Sequence, residues 1–321
     1  MNNLHPVFIR ENVISDTRTF FQNKHFHEVI SPSLNTALPL EPNLYAFATT
    51  WQTASETKQL FLSTSPESAI KKMLARGIGN CFAIGSSFRN LEGAGSLHTP
   101  EFLMLEWYRE DADYKDIMKD VKELILFLNK DKSPNLTYQG ETISLTDEWP
   151  IFSMVELFKK YADLNLEEIL EDTVLFQKAK DKGYSIKNTT WGALFDQILV
   201  NEIELQLPKT PFFIVDFPAR ISPLCTPQKK RPYLVERFEV YLFGMELGNG
   251  NTEYTNVESV RNSFIKEKQM RELKGELAPP IDEEFLAALH KMSTKTYGGI
   301  GLGIDRLAMI LADVTQIIDL L

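Results

Sequence analysis

Apolar residues near the start of the chain recur at helical spacing, and later runs change to the pattern of strands. Val13, Phe20 and Phe21 fall on one side of a helix over residues 12–23, because the helical period brings them onto one face. Short runs rich in apolar, β-branched and aromatic residues predict strands at residues 81–88, 102–108, 212–216 and 236–246.

A further helix is expected over residues 65–76. Thr64 or Ser65 supplies the N-cap, and Pro66 takes an early helical position where its missing N–H is not needed. An extended segment over residues 26–32 precedes this helix and ends at Pro32. A proline at that point is typical of the end of an edge strand.

Residues 112–205 carry mainly helical patterns, which are clearest at 117–128 and 154–161. Because they separate two groups of predicted strands, they indicate a helical insertion packed beside a sheet, and the fold class is α+β. A doubly wound parallel sheet would need regular strand–helix alternation and a glycine-rich phosphate loop ending in Gly-Lys-Ser or Gly-Lys-Thr, which the sequence lacks. We therefore predict a single domain over residues 1–321.

The chain has 321 residues and a formal net charge of −10. This acidic balance argues against a protein whose main task is to grip nucleic acid, since such proteins usually present a basic face. Cys81 and Cys225 are the only cysteines and lack CxxC spacing, as expected of buried thiols in a reducing compartment. The sequence contains no apolar run of membrane-spanning length and no charged-then-apolar leader, so we predict a cytoplasmic protein without a membrane partner.

Two blocks far apart in the chain have the composition of a phosphate-binding site. The first block contains FRN at 88–90, HTPEF at 98–102 and EWY at 106–108. The second block is GGIGLGIDR at 298–306. An arginine meets a phosphate with a planar fork of donors, and glycines let the backbone approach a ligand closely.

Between the two blocks, FEVYLFGME at residues 238–246 predicts a hairpin that turns at residues 243–244. A two-residue turn sets Tyr241 opposite Glu246, with Glu239 as a diagonal neighbour on the same face. Two carboxylates so close repel each other unless a cation lies between them. Mg²⁺ bridging ATP phosphates is the natural cation, because it prefers hard oxygen ligands, although spacing alone is equally typical of two solvent-facing strand acids.

Together these blocks resemble motifs 2 and 3 of the class II aminoacyl-tRNA synthetases, specifically the lysyl group. HTPEF, EWY and TSPE at 64–67 are most similar to the elongation factor P lysine ligases, which are short paralogues of lysyl-tRNA synthetase. The resemblance runs from about residue 10 to the end of the second block. It implies an antiparallel sheet of six or seven strands flanked by helices, and a homodimer whose interface contains motif 1 at residues 26–32.

The resemblance implies a site for ATP and Mg²⁺. Arg89 is expected to hold the α-phosphate and Arg306 the γ-phosphate as the catalytic residues, because a preplaced cation stabilises the charge that leaving pyrophosphate gains. Phe102 is expected under the adenine. The residues implied to bind ATP are Arg89, Asn90, Glu92, His98, Phe102, Glu239, Glu246 and Arg306, with Glu239 and Glu246 as the metal ligands.

The resemblance also implies an amino-acid site. The residues implied to bind the substrate are Glu67, Glu106, Tyr108, Asn249, Glu253 and Gly301. Three carboxylates in one cleft suit a substrate with two ammonium groups, namely lysine or (R)-β-lysine, and in an empty cleft their pKa values are expected to be raised. Lysyl-tRNA synthetases have glycine at the position of Gly301 whereas elongation factor P ligases commonly have alanine, so the preference between the isomers stays open.

Three departures from the lysyl pattern affect the predicted site. Leu91 stands where the group has glutamate, and the loop from Arg89 to His98 is one residue longer. Through that longer loop Glu92 either substitutes for the adenine contact or the contact is lost. Asn251 stands where an aromatic residue is usual.

The leading hypothesis is an ATP-dependent ligase that transfers a lysine-like amino acid to a lysine side chain of elongation factor P. Motif 1 begins so near the first residue that we expect no N-terminal OB-fold for an anticodon, which argues against tRNA as a partner. Two alternatives stay open. One is the same adenylation with another acceptor, such as another protein, a free amine or tRNA, and the other is an inactive regulatory paralogue.

Overall fold

The computed structural model describes residues 4–91, 95–129, 133–187 and 189–321. Its helices in chain order are α1 (His5–Asn23), α2 (Glu67–Leu74), α3 (Tyr114–Leu128), α4 (Met154–Tyr161), α5 (Asp172–Asp181), α6 (Trp191–Ile198), α7 (Val257–Lys274), α8 (Glu283–Met292) and α9 (Ile304–Ala312). Short helical turns lie at Glu168–Leu170, Leu199–Ile203, Glu204–Gln206, Ala219–Ile221 and Ile317–Leu320.

The strands in chain order are β1 (His27–Glu28), β2 (Leu34–Asn35), β3 (Ala48–Gln52), β4 (Thr57–Leu62), β5 (Cys81–Phe88), β6 (Glu101–Glu110), β7 (Asn135–Tyr138), β8 (Glu141–Ser144), β9 (Ile151–Ser153), β10 (Phe212–Val215), β11 (Arg237–Leu242), β12 (Met245–Thr252) and β13 (Tyr297–Gly303). Eight of them form the main sheet, in the order β1-β5-β6-β13-β12-β11-β10-β9. Neighbouring strands from β5 to β10 are antiparallel, while β1 and β9 join the two edges in parallel. The predicted α+β class is confirmed.

The main hydrophobic core lies on one face of this sheet, where α1, α3 and α9 pack. Trp107, Ile300 and Phe238 are buried in one row across that face. Gly250 completes the row, and a Cβ there would lie 2.7 Å from the Phe238 ring. Because side chains alternate along a strand, the residues between these face the other side of the sheet, which is therefore available for a site.

Several predicted elements are confirmed. The strand at 81–88 has the predicted bounds, and the strand at 102–108 extends to Glu101–Glu110. The first helix begins at His5 rather than residue 12, with Pro6 in its first turn, where proline is tolerated. Helix α2 is shorter than predicted, and the Ser65 hydroxyl accepts a hydrogen bond from the Glu67 amide at 3.2 Å.

The prediction that residues 112–205 form a helical insertion is only partly right. Helix α4 has the predicted bounds, but α3 packs against β11, β12 and β13 as part of the main core. The same region contributes the β7–β8 hairpin and β9, which extends the main sheet to eight strands. Short strands of three or four residues give too little alternation to be predicted from sequence.

In the predicted motif 1 segment only His27–Glu28 forms a strand, paired in parallel with β5. Pro32 and Ile30 lie on the surface, and Ile30 is 92% exposed. Within the part of the chain that the structure describes, no helix combines the length and apolar character needed to cross a bilayer.

Candidate active site

Two rows of residues cross the sheet on the face opposite the core. The strand registers place Glu106, Gly301, Asn249 and Glu239 in the first row. The second row, two residues away on each strand, consists of Tyr108, Gly299, Asn251 and Arg237. The sheet thus gathers predicted substrate and metal residues that lie far apart in sequence.

The hairpin between β11 and β12 turns at Phe243 and Gly244, whose φ angles of 52° and 75° are both in the left-handed region. Its register sets Tyr241 opposite Glu246, which confirms the predicted pairing. Beyond that pair a β-bulge leaves Leu247 without a partner on β11. The extra residue reverses the alternation of β12, so Glu246 and Asn249 both belong to the face of Glu239, while Leu247 is buried in the core.

Two cavities open on this face and meet. The arginine cavity, of about 190 Å³, is lined by residues that include Arg306, His98, Phe102 and Glu246. The acidic cavity, of about 250 Å³, is lined by residues that include Glu41, Glu67, Glu106 and Tyr108. Both are lined by Arg89, Met104, Asn249 and Gly301. A molecule that spans both cavities would pass over these shared residues.

The guanidinium of Arg306 is held by two partners at the mouth of the arginine cavity. Its Nη1 donates to the backbone carbonyl of Glu246 at 2.7 Å. Its Nη2 lies 2.9 Å from Nε2 of His98, a geometry in which the guanidinium donates to a neutral imidazole. Sequence blocks about 200 residues apart, as predicted, therefore meet at one cation.

Arg89 lies between the two cavities, just beyond the end of β5. Its Nε donates to the Thr64 carbonyl at 3.2 Å, and its guanidinium carbon lies 5.2 Å from the centroid of the Phe102 ring. Asn90, by contrast, lines neither cavity. Its backbone pairs with Tyr45, and its side chain accepts a hydrogen bond from the Leu91 amide.

The predicted adenine contact of Glu92 lies outside the described residues. Leu91 beside it has a φ of 61° and is 70% exposed. The left-handed backbone is unusual for a leucine.

Glu239 and Glu246 are close enough to influence each other. Burial, and next the charge of Glu246, raises the pKa of Glu239 to about 8. The Tyr241 hydroxyl lies 3.1 Å from Glu239 Oε2 and 2.9 Å from Glu204 Oε1. One hydroxyl proton cannot satisfy two carboxylates, which is a second reason for the acids to retain a proton when no cation is near.

Glu239 and Glu246 alone supply too few ligands to hold a metal ion. Two carboxylates on one face supply the oxygen donors that Mg²⁺ prefers. Among the described residues no group of three or more acidic, histidine or cysteine side chains is arranged to hold a metal ion. Glu239 and Glu246 would therefore supply only part of the oxygen ligands of such an ion.

Glu106 lies at the floor of the acidic cavity and is 4% exposed. Its Oε1 accepts a hydrogen bond from the Tyr108 hydroxyl at 2.7 Å, and its Oε2 has no hydrogen-bond partner among the described residues. Burial, and next the charge of Glu67, raises the pKa of Glu106 to about 8. The raised pKa agrees with the expectation for a cleft lined with carboxylates.

Glu253 differs from the prediction in its surroundings. It does not line the acidic cavity but lies behind the cavity wall, where it forms an ion pair with Lys71 and accepts from the Asn251 amide at 3.0 Å. Burial raises the pKa of Glu253 to about 7, although the charge of Lys71 opposes the shift. Glu239 is likewise absent from the lining of both cavities. Arg237, which lines the acidic cavity, donates from Nη2 to Oε1 of Glu239 at 3.0 Å.

The sequence interpretation missed four charged residues of this site. Glu41, Asp196 and Arg237 line the acidic cavity, and Lys71 is buried behind it. Burial, and next the charge of Glu67, raises the pKa of Glu41 to about 7. Lys71 alone carried a local signal, because it lies four residues after Glu67 on one helix face, where ion pairs form.

Comparison with known proteins agrees with this geometry. The family described as tRNA synthetases class II (D, K and N) matches residues 3–321. The chain is 30% identical over 316 residues to lysine–tRNA ligase of Carboxydothermus hydrogenoformans. It is 32% identical over 319 residues both to that of Moorella thermoacetica and to that of Nostoc sp..

These alignments cover nearly all of the chain but only part of each relative. They include 98% of the chain in the Carboxydothermus and Moorella comparisons and 97% in the Nostoc comparison. The matched part is 64% of the first two relatives and 55% of the third. The family match over residues 3–321 contains every residue of the two cavities described above.

Proposed function

The chain belongs to the class II tRNA synthetases of the D, K and N group, and from that premise we propose that it is an ATP-dependent ligase that activates lysine or (R)-β-lysine and transfers it to a lysine side chain of elongation factor P. The observation that carries the proposal is the meeting of the arginine cavity and the acidic cavity at Arg89, Met104, Asn249 and Gly301. A phosphate-binding space and a cation-binding space in contact are what adenylation of a diamino acid requires.

In the first step a carboxylate oxygen of the amino acid attacks the α-phosphorus of ATP. The bond from that phosphorus to the β-phosphate oxygen breaks, and pyrophosphate leaves. Arg89 stands where the two cavities meet, so it would bind the α-phosphate, and Arg306 would bind the leaving end. No side-chain nucleophile is needed, because catalysis rests on positioning and on neutralising charge.

Glu246 and Glu239 would hold Mg²⁺ in this reaction. The metal ion would neutralise phosphate charge when bound. The raised pKa of Glu239 supports the assignment, since a cation is the natural substitute for the proton that the paired acids retain. The Tyr241 hydroxyl, 3.1 Å from Glu239 Oε2, orients this carboxyl group.

The acidic cavity supports a substrate with two ammonium groups. Glu41, Glu67 and Glu106 line it, and the unpartnered oxygen of Glu106 is buried among the described residues. A substrate that lacks one ammonium group would leave a buried carboxylate unpaired, and such sites reject analogues by about 10⁴. Gly301 lines the junction of the cavities, so the size of its side chain would determine which length and branching of substrate fit there.

In the second step the ε-amine of an acceptor lysine attacks the carbonyl carbon of the adenylate. An amide bond forms, the amine releases a proton, and AMP leaves. The acceptor is proposed from the resemblance of residues 64–67, 98–102 and 106–108 to the elongation factor P lysine ligases. Transfer to tRNA, the reaction in the names of the curated relatives, is the competing acceptor, and the experiment must distinguish the two.

The test is amino-acid-dependent ATP–pyrophosphate exchange by the purified chain, without an acceptor. α-Lysine and (R)-β-lysine are compared with norleucine, which lacks the side-chain ammonium group. Exchange with a lysine isomer and none with norleucine is expected. Absence of exchange with every amino acid, in folded protein, would overturn the proposed adenylation.

The acceptor is tested in a separate experiment. Elongation factor P and lysine tRNA are each incubated with the enzyme, ATP and the radiolabelled preferred isomer. Products are followed by intact-mass measurement and by the stability of the label in mild base, which hydrolyses an ester on tRNA but leaves an amide on protein. A mass gain on elongation factor P is expected. Labelling of tRNA alone would reject the proposed acceptor and leave adenylation intact.

A further inference from the structure

Lys71 on α2 is fully buried next to the acidic cavity, with 0% of its side chain exposed. Its ammonium group lies 2.5 Å from Oε1 of Glu67 and contacts Oε2 of Glu253. Glu67 lines the cavity, and Glu253 lies behind it. One ammonium group therefore joins two carboxylates that come from parts of the chain nearly 190 residues apart.

The surroundings of this ammonium group contain more acids than Lys71 can pair. Glu67 faces it from α2, Glu253 from the end of β12, and Glu106 and Glu41 from β6 and the loop before β3. The rings of Tyr108 and Phe285 lie 5.5 Å and 5.3 Å from Nζ and close the remaining sides. The charge of Lys71 also acts on the Cys225 thiol.

A buried ammonium group in such a place is costly unless it is well paired. Burial alone would lower the pKa of Lys71, but Glu253 and Glu67 raise it above its ordinary range. Lys71 in turn opposes the rise in pKa of Glu41, Glu106 and Glu253. With Lys71 present, the pKa values of these acids are therefore lower than burial alone would make them.

We propose that Lys71 is a positioning residue for substrate recognition, whose ammonium group fixes the carboxylates of Glu67 and Glu253 and offsets part of the negative charge of the acidic cavity. It touches neither cavity, so it acts through the acids and not on the substrate. The inference rests on the proposed function, because the quantity it controls is affinity for a diamino acid.

The experiment compares three variants in pyrophosphate exchange. Lys71→Met removes the charge and keeps the length of the side chain, and Lys71→Gln removes the charge but keeps hydrogen-bond donors. Lys72→Met is the matched control, because Lys72 is the next residue of α2 and forms ion pairs with Asp282 and Glu284 on the side away from the cavity. Thermal unfolding and circular dichroism establish that each variant is folded.

Both Lys71 variants are expected to raise the KM for lysine on the order of 10²-fold, because misplaced binding groups cost about that much. The KM for ATP should stay within about two-fold, as should all constants of Lys72→Met, whose ion pairs are partly exposed. The acidic limb of kcat/KM for lysine should move to higher pH by about one pH unit, because the acids lose their neighbouring cation.

Equal effects of Lys71→Gln and Lys72→Met on the KM for lysine and on the pH profile would overturn the inference. So would a parallel rise in the KM for lysine and for ATP, which a general loss of structure would cause. If Lys71→Met does not fold, Lys71→Gln carries the test alone, and its unchanged pH profile would be decisive against the role. Failure of the wild-type chain to catalyse exchange would instead overturn the proposed function, and lysine affinity by calorimetry would then decide the role of Lys71.

Discussion

Arg306 donates a hydrogen bond to the backbone carbonyl of Glu246 at 2.7 Å. A backbone acceptor cannot be moved by a side-chain rotation, so this contact fixes the guanidinium against β12 before any phosphate arrives. His98 lies on its other side, with 2.9 Å between Nη2 and Nε2. A cation placed in advance stabilises developing charge without reorganisation, which is the role proposed for Arg306.

Replacing Arg306 by alanine should lower kcat for pyrophosphate exchange by about 10² to 10³, since that is the typical loss when one charge-stabilising group is removed. Arg306→Lys should recover little, because an ammonium group cannot contact Glu246 and His98 through a planar fork. Arg261→Ala, which removes a surface ion pair with Glu283, is the control. Similar rates for Arg306→Ala and Arg261→Ala would exclude a catalytic role.

The stability of the ligand-free protein should fall as pH rises from about 5 to 8. Glu41 and Glu253 have pKa values raised to about 7, and Glu106 and Glu239 to about 8. The folded state therefore binds more protons than the unfolded state between the ordinary pKa of glutamate and these values, and stability falls with pH wherever that is so. Differential scanning calorimetry should show a Tm that is about 5 °C lower at pH 8 than at pH 5.5.

Glu106→Gln provides the control for that pH dependence, because it removes one raised carboxyl group and should flatten the decline. Addition of lysine at pH 8 should raise Tm, since a ligand cation replaces the proton on Glu106. A Tm that rises steadily from pH 5.5 to 8 would contradict the charge arrangement of the acidic cavity.

Gly301→Ala should fold and change the choice between lysine isomers. A Cβ at Gly301 would lie 3.3 Å from the sulfur of Met104, the flexible end of a side chain that can move. The methyl group would enter the junction of the two cavities, and one methyl in a tight pocket is worth about 1–3 kcal/mol. The ratio of kcat/KM for (R)-β-lysine to that for α-lysine should therefore increase about 10-fold or more.

Gly299→Ala is the structural contrast to that variant. Its Cβ would lie 2.3 Å from the ring of Tyr108, which is buried and cannot yield. We expect a lower Tm and loss of exchange with both isomers together.

An unchanged isomer ratio in Gly301→Ala would show that the substrate does not cross the junction of the two cavities.

The proposed homodimer is tested at Ile30, which is 92% exposed in the motif 1 segment. An aspartate there would bury a charge if two copies pack at this surface, so Ile30→Asp should shift the sedimentation of the chain from dimer to monomer. Leu273→Asp is the control, since Leu273 is 88% exposed on α7. A wild-type monomer, or equal effects of both changes, would reject motif 1 as the interface.

Local patterns were sufficient to predict the parts of the fold that depend on neighbouring residues. The turn at Phe243 and Gly244 and the pairing of Tyr241 with Glu246 follow from hairpin geometry and are confirmed. Strand β9 could not be predicted, because its three residues gain their conformation from pairing with β10. The position of α3 in the main core, and not in a separate insertion, likewise depends on its contacts with β12 and β13, which the local sequence does not indicate.

The residues of the candidate site were likewise predicted only in part. The resemblance to the lysyl group pointed to Arg89, Arg306, Glu106 and Tyr108, which line the two cavities. It could not predict the ion pair of Lys71 with Glu253, because that pair depends on how α2 packs beside β12. It placed Glu253 in the cavity, whereas the structure places this residue behind the wall.

The bulge at Leu247 makes the length of β12 as important as its composition. Glu246 and Asn249 are separated by an odd number of positions, and in an uninterrupted strand they would point in opposite directions. Deleting Leu247 would leave Glu246 opposite Tyr241 and Asn249 opposite Glu239 in a regular ladder, and it would remove a buried leucine from the core. Inserting one further residue between Gly248 and Asn249 would instead shift the ladder by one position and turn Asn249 and Asn251 into the core, with every functional side chain still present in the sequence.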